Sequence, residues 1–496
     1  MRPWLLALPL AASACFSGFS FGENQPGEDT STEPPDTWPG AHRVGAIAVE
    51  PDEDQLWVVH EENRDGVVRG RLAAIDPVSH EAIDVLDVTG TDNRRVLFPA
   101  HDRMLLFAHA GNREHLVLID TTTHEVIAKK HLRARYDGTS ASPSGRLVLV
   151  RDGADARSPL HLIDTATLAR RIIPSELILI GAAWSHGRDV LTAMTLENEP
   201  SGRVVARMLE WNLEGADLAG QVPAPAVVWE HSGALRDALS SVSISADDRW
   251  VVWPVRERAA GGAYENRLVV FDRQTATGRL TAGSGPLAVA HDGRIVSFGP
   301  AVDGGDDLWL IEPATLARTV VKLPGREVVS FFPMRDSAHI LAAAPVYPDH
   351  EEALTIYDTD TGAMRQSTAF GITLFDLVAR PGRGEVFLES RGDVFELALA
   401  TGEMTRVDLA EEVSHLNATP TTDRAFAAAT WTATIYPIAM ATAALDGAPI
   451  ELRSPFDGEV TGDVLGGTTA PTAPRRFPAG MTRRQHDGDA ISLERR

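Results

Sequence analysis

Asp, Thr and His gather at short intervals along this chain, as in HLVLIDTTTHEVI at 115–127, RLAAIDPVSHEAI at 71–83 and ALTIYDTDTGAMRQ at 353–366. A carboxylate beside hydroxyls and an imidazole could bind a cation or pass a proton. Each cluster, however, stands at the same place in a recurring phrase: an apolar run, an acid, a Thr-rich turn and a second apolar run. Further copies are LHLIDTATLARRI at 160–172, RLVVFDRQTATGRL at 267–280 and DLWLIEPATLARTV at 307–320. A residue type that returns with the repeat is first a structural requirement. An Asp at a chain corner accepts a hydrogen bond from a backbone N–H two residues on and so closes a tight turn. Gly362 and Gly402 fit the left-handed position such a turn needs, and His80 and His124 take that slot in their copies. Leu168 and Leu316 occupy it too, and their residue type alone does not say how those turns close.

The other chemical signals are weaker still. DTDTG at 358–362 resembles a calcium loop, but the distal Glu is missing and the stretch aligns with the other corners. The sixteen histidines show no HExxH or His-x-His spacing, so no metal site is expected. SRGDV at 390–394 joins two clear strands and reads as a hairpin. There is no GxSxG, phosphate-binding or dinucleotide-binding loop, so no cofactor and no catalytic residue are assigned. Strands that would line a central channel carry only Arg43, Arg94, Arg95, Asp376 and His415 as charged or titratable groups. Asp376 and His415 are the weakest of catalytic candidates.

The elements that must position these residues follow from the repeat. Asp76, Asp120 and Asp164 recur every 44 residues. Each unit reads as four short strands, which at this period is the pattern of a propeller blade. In HLVLID both alternating faces are apolar, as in a strand packed between neighbouring sheets, so the units must stack into a ring. Nine second strands can be counted, among them SPSGRLVLV at 142–150. The expected fold is all-β, a single β-propeller of four-stranded blades over 43–456, with eight or nine blades. In the ninth unit Ala443 stands where the corner acid is expected.

HLVLIDTTTHEVI and LHLIDTATLARRI resemble the YVTN-type propeller repeat, and SPSGRLVLV is similar to the second strand of the Tol-system propeller repeat. The resemblance implies a fold far more than a function. No Trp-Asp dipeptide occurs, so the tryptophan-aspartate subclass is not indicated.

The flanks set the compartment. MRPWLLALPLAASACFSG has an early Arg, a short apolar core and small residues before Cys15, the only cysteine, which reads as an export signal over 1–14. It resembles a bacterial lipoprotein signal, which implies lipidation of Cys15; cleavage after Ala14 with a free Cys is the alternative. Residues 15–42 read as anchor and linker, and 457–496 as a flexible tail. With 46 Lys and Arg against 69 Asp and Glu, a net charge of -23 disfavours nucleic acid and anionic membrane surfaces as partners.

The expected function is therefore a protein- or polymer-binding module at the cell envelope, its membrane contact limited to the lipid anchor. The alternative is a lactonase-like or other hydrolase on the same fold. Binding residues are sought on long loops of a rigid scaffold. TLENEPSGRV, RERAAGGAYENR and the intervening PAPAVVWEHSGALRD, read as a crossover between blades, nominate Trp229, His231, Arg236, Asp237, Arg256, Arg258 and Tyr264, with Trp229, Arg256, Arg258 and Tyr264 forming one exposed patch.

Overall fold

Nine antiparallel sheets follow one another along the chain, each built from strands in sequence order. A computed structural model describes residues 42–460 apart from short internal stretches, among them 51–54, 199–203, 301–305 and 323–329. The export signal, Cys15, the linker before residue 42 and the tail beyond 460 lie outside the described residues. Described residues form strands and turns, with no helix among them.

The blades span 42–87, 92–132, 136–172, 179–233, 235–282, 284–321, 330–368, 374–406 and 413–451. Together they make a nine-bladed β-propeller, the larger of the two expected counts. The two-faced apolar strands explain why. Nine hydrophobic clusters each straddle two consecutive blades. One joins Trp57 and Leu72 of blade 1 to Met104 and Val117 of blade 2, and the last joins Phe426 and Ile435 of blade 9 to Val44 and Val58 of blade 1. Closure needs no strand exchanged between the first and last blades, because both are complete from contiguous sequence.

The corners behave as expected at the residue level. Asp120 Oδ1 accepts from the N–H groups of Thr122 and Thr123 at 3.0 and 2.8 Å, and Asp76, Asp164 and Asp358 repeat the arrangement. Four residues after the acid comes the left-handed position: His80, His124, Leu168, Ala276 and Leu316 all have φ between 53° and 61°. Packing closes the Leu turns. Leu168 is buried in the seam with Leu105 and Leu118 of blade 2, and Leu316 packs against the seam between blades 5 and 6. His124 does the same on blade 1, meeting Trp57 edge-on and Gln55 at 2.9 Å. Burying such a side chain offsets a left-handed backbone cost of about 1–2 kcal/mol. Ala443 (φ 49°) belongs to this left-handed slot, so the corner position of blade 9 is Ala439, four residues earlier than expected.

Cations bind the blades together at the same corners. Lys130 donates to the carbonyl of Leu168, Arg294 to that of Thr359, Arg365 to that of Leu399 and Arg424 to that of Pro77. In each case a side chain of one blade serves a carbonyl at the corner of the next. The Arg424 contact closes the ring from blade 9 to blade 1.

Both ends of the described chain meet on one face. His42 pairs with Glu62 near the hairpin between the second and third strands of blade 1. Ile450–Glu451 pairs beside the equivalent hairpin of blade 9, and Ser454 then reaches Glu62 and Arg64.

Candidate functional site on the rim of blade 5

The second and third strands of blade 5, Trp250–Arg258 and Tyr264–Asp272, form the centre of this site. Their lower halves are apolar and buried, whereas the halves nearer the hairpin turn polar and exposed. The tip closes through Gly262 (φ 86°), whose N–H donates to the Ala259 carbonyl at 2.9 Å. Pairing sets Arg256 opposite Asn266 and Arg258 opposite Tyr264. Alternation then puts Arg256, Arg258, Tyr264 and Asn266 on one side of the ribbon, continuous with Val252 and Leu268, which pack toward blade 6. All four are exposed.

The opposite side is electrostatically satisfied. Arg267 lies 3.2 Å from Glu257 and 2.8 Å from Glu265, and in blade 4 Arg207 bridges Glu197 at 2.5 Å and Glu230 at 2.7 Å. Among the described residues neither Arg256 nor Arg258 has a carboxylate partner. Two unpaired guanidinium groups two residues apart on a projecting ribbon, with a Tyr alongside, suit an anionic or aromatic ligand group.

The remaining expected members of the patch lie elsewhere. Ala226–Gly233 is the fourth strand of blade 4 rather than a crossover, and the long connection after Asn212 had disguised it. Trp229 sits opposite Met208, half-buried in the seam between blades 4 and 5, and a Cβ on Gly278 would fall 2.3 Å from its indole nitrogen. Gly278 pairs with Phe271, seven residues along the strand from Tyr264. The single exposed patch is therefore not formed: Trp229 packs at the blade seam. His231 stacks on Trp229 at 5.7 Å with the rings 5° from parallel. Arg236 and Asp237 fall in Leu235–Ala238, the first half of an interrupted inner strand of blade 5, and their side chains lie outside the description.

Asp376 and His415 occupy matching places. Each follows a bulge in the inner strand of its blade, opposite Glu389 and Ala428 respectively. His415 is half-buried, and the Asp376 side chain lies outside the description. Among the described residues no group of three or more His, Cys, Asp or Glu is placed to hold a metal ion. Gly392 of the RGD tripeptide turns a two-residue hairpin at φ 86°, and Arg406 engages Asp393 at 2.6 Å.

One polar cluster escaped the sequence reading. On blade 1, the Nε2 of His42 and Nδ1 of His60 are 3.0 Å apart, one donating to the other. Arg71 reaches Asp84, and Glu62 accepts from Arg64 at 3.0 Å. Burial pushes His42 down to about 4, with the neighbouring His60 adding to the shift. Burial raises Glu62, but hydrogen bonds from Ser454 and Arg64 outweigh it and hold the carboxyl below its usual range. The available signal was HEENR at 60–64 and RGR at 69–71, where a strand of this fold should have two apolar faces.

No protein-family model matches the sequence, and no curated protein matches it. Solved structures do. A structure described as the eukaryotic initiation factor aligns with a TM-score of 0.52 at 12 % identity over 84 % of this chain and 97 % of its own. Dihydro-heme d1 dehydrogenase NirN gives 0.40 at 15 % identity, covering 72 % of this chain and 64 % of that one. TolB from Acinetobacter baumannii gives 0.30 at 13 % identity over 63 % and 78 %. At these identities the likeness is one of fold alone.

Proposed function

We propose that this chain is a non-enzymatic, exported propeller, anchored by lipid at Cys15, that binds a protein or polymer partner at the cell envelope through the blade 5 ribbon. The observation that carries this reading is that Arg256 and Arg258, exposed near Tyr264, have no carboxylate partner among the described residues of a chain whose net charge is -23. Neighbouring arginines are neutralised locally, so these two are available to an anionic group on a partner. A rigid ring presenting a short ribbon limits the ordering cost of such a contact.

The test compares wild type with the triple variant Arg256→Ala, Arg258→Ala, Tyr264→Ala, cross-linked in cells and extracted from membranes. Loss of a specific cross-linked species in the variant, with unchanged thermal melting, is expected. An identical cross-linking pattern would remove the ribbon from the reading. Metabolic labelling with a tagged fatty acid tests the anchor separately: label should appear in wild type and vanish in Cys15→Ser.

A further inference from the structure

The segment after the last strand is held by blade 1 in a way that looks like ligand recognition. Ser454, Pro455, Phe456 and Asp457 form a β-turn in which the Asp457 N–H donates to the Ser454 carbonyl at 2.9 Å. Pro in the second position presets that turn. The Ser454 hydroxyl also accepts from the Phe456 N–H at 3.1 Å, stiffening it further. Four residues of blade 1 then read the turn. Buried Arg71 donates to the carbonyls of Asp457 at 2.9 Å and Gly458 at 2.8 Å. Glu62 accepts the Ser454 hydroxyl, and the guanidinium groups of Arg64 and Arg69 lie over the Phe456 ring at 4.5 and 4.7 Å. These are anchor chemistries: an aromatic ring under cations, a hydroxyl on a carboxylate, and two backbone carbonyls on one guanidinium.

The apolar seam between blades 9 and 1 is meanwhile complete before the turn begins. Its last members are Ile450 and Leu452, and Leu452 is already fixed by its N–H to the Ala433 carbonyl at 3.0 Å. Ring closure and turn binding are thus carried by different residues.

We propose that the rim of blade 1, formed by Glu62, Arg64, Arg69 and Arg71, is a binding site for a Ser-Pro-Phe-Asp-Gly turn, filled in this chain by its own residues 454–458, and that this occupant can be detached without opening the ring. The site is independent of the blade 5 ribbon.

The experiment uses the chain truncated after Arg453 and a fluorescent synthetic peptide of residues 453–460, RSPFDGEV. The truncated chain is expected to fold with a near-native melting transition and to bind the peptide saturably. Peptides carrying Phe456→Ala or Ser454→Ala should bind at least about tenfold more weakly, the factor expected for losing roughly 1.4 kcal/mol of ring or hydroxyl contact. A peptide cyclised to hold the turn should bind more tightly than the linear one. Failure of the truncated chain to fold would overturn detachability. A folded chain that binds no peptide, or binds the alanine peptides equally well, would overturn the site. In the full chain, Phe456→Ala should raise hydrogen exchange around 454–458 and leave the seam strands protected; exchange rising across blades 1 and 9 together would also contradict the proposal.

Discussion

Each corner makes two different demands, one on its acid and one on the residue four positions later. Asp164 holds the N–H groups of Ala166 and Thr167, and its replacement by Ala should cost about 1 kcal/mol, the usual worth of such hydrogen bonds, in a urea melt. Four residues on, the left-handed slot gives opposite outcomes according to burial. Ala276 is exposed at φ 53°, so Ala276→Gly relieves backbone strain with no lost contact and should stabilise by about 0.5–1 kcal/mol. Leu168 is fully buried at φ 54°, so Leu168→Gly relieves the same strain but empties the seam, and should destabilise by about 1–2 kcal/mol. The acids at the corners were legible in the sequence because their bonds are local. The leucines were not, since what compensates them is a neighbouring blade.

At the scale of elements, strands and their order were legible because apolar runs and turn residues encode them directly. Contacts between blades were not. Gly145, which the sequence shows only as one residue of SPSGRLVLV, has φ 70°, and a Cβ there would fall 1.5 Å from the Pro99 carbonyl oxygen of blade 2. Gly66, at the tip of the blade 1 hairpin, has φ 82° and nothing within 4 Å. Gly145→Ala should therefore lose at least about 2 kcal/mol more than Gly66→Ala, because backbone must move as well as twist; equal losses in parallel thermal melts would show that the blade 2 to blade 3 contact yields freely. Trp229 failed as a surface residue for a related reason. Aromatic residues near Arg look alike in sequence whether they sit on a rim or fill the hollow over a glycine, and Gly278 lies nearly fifty residues away.

For the ring as a whole, acid is the natural stress. His42 faces His60, Glu62, Asp84 and Arg64, and burial holds its folded pKa at about 4 against 6.5 for the free side chain. The folded state thus prefers the neutral imidazole. Its contribution is complete above pH 6.5 and fades as pH falls from there toward 4. Burial lowers His124 likewise. Asp76, Asp120 and Asp358 are held low chiefly by backbone N–H groups, so their contributions are lost only at still lower pH. Urea melts at pH 7.5 and 5 should differ by on the order of 1 kcal/mol on account of His42, after allowance for its partial exposure. In His42→Asn that difference should shrink, with His124 accounting for what is left; an undiminished difference would place the acid sensitivity elsewhere.

Both ends of the described residues meet on one face, and this sets the reach of the ring. With Cys15 lipidated as proposed, 26 residues lie between the anchor and His42, a leash that can reach no more than about 90 Å at full stretch. The ring would hang with the side bearing the blade 5 ribbon turned toward the bilayer and the Asp corners turned away. Its search volume is then a thin layer above the lipid, where a partner held in the same membrane is met far more often than one diffusing freely. Shortening the leash should raise that local concentration until the ring can no longer tilt to present its rim, and the yield of cross-linked partner as a function of linker length should pass through a maximum.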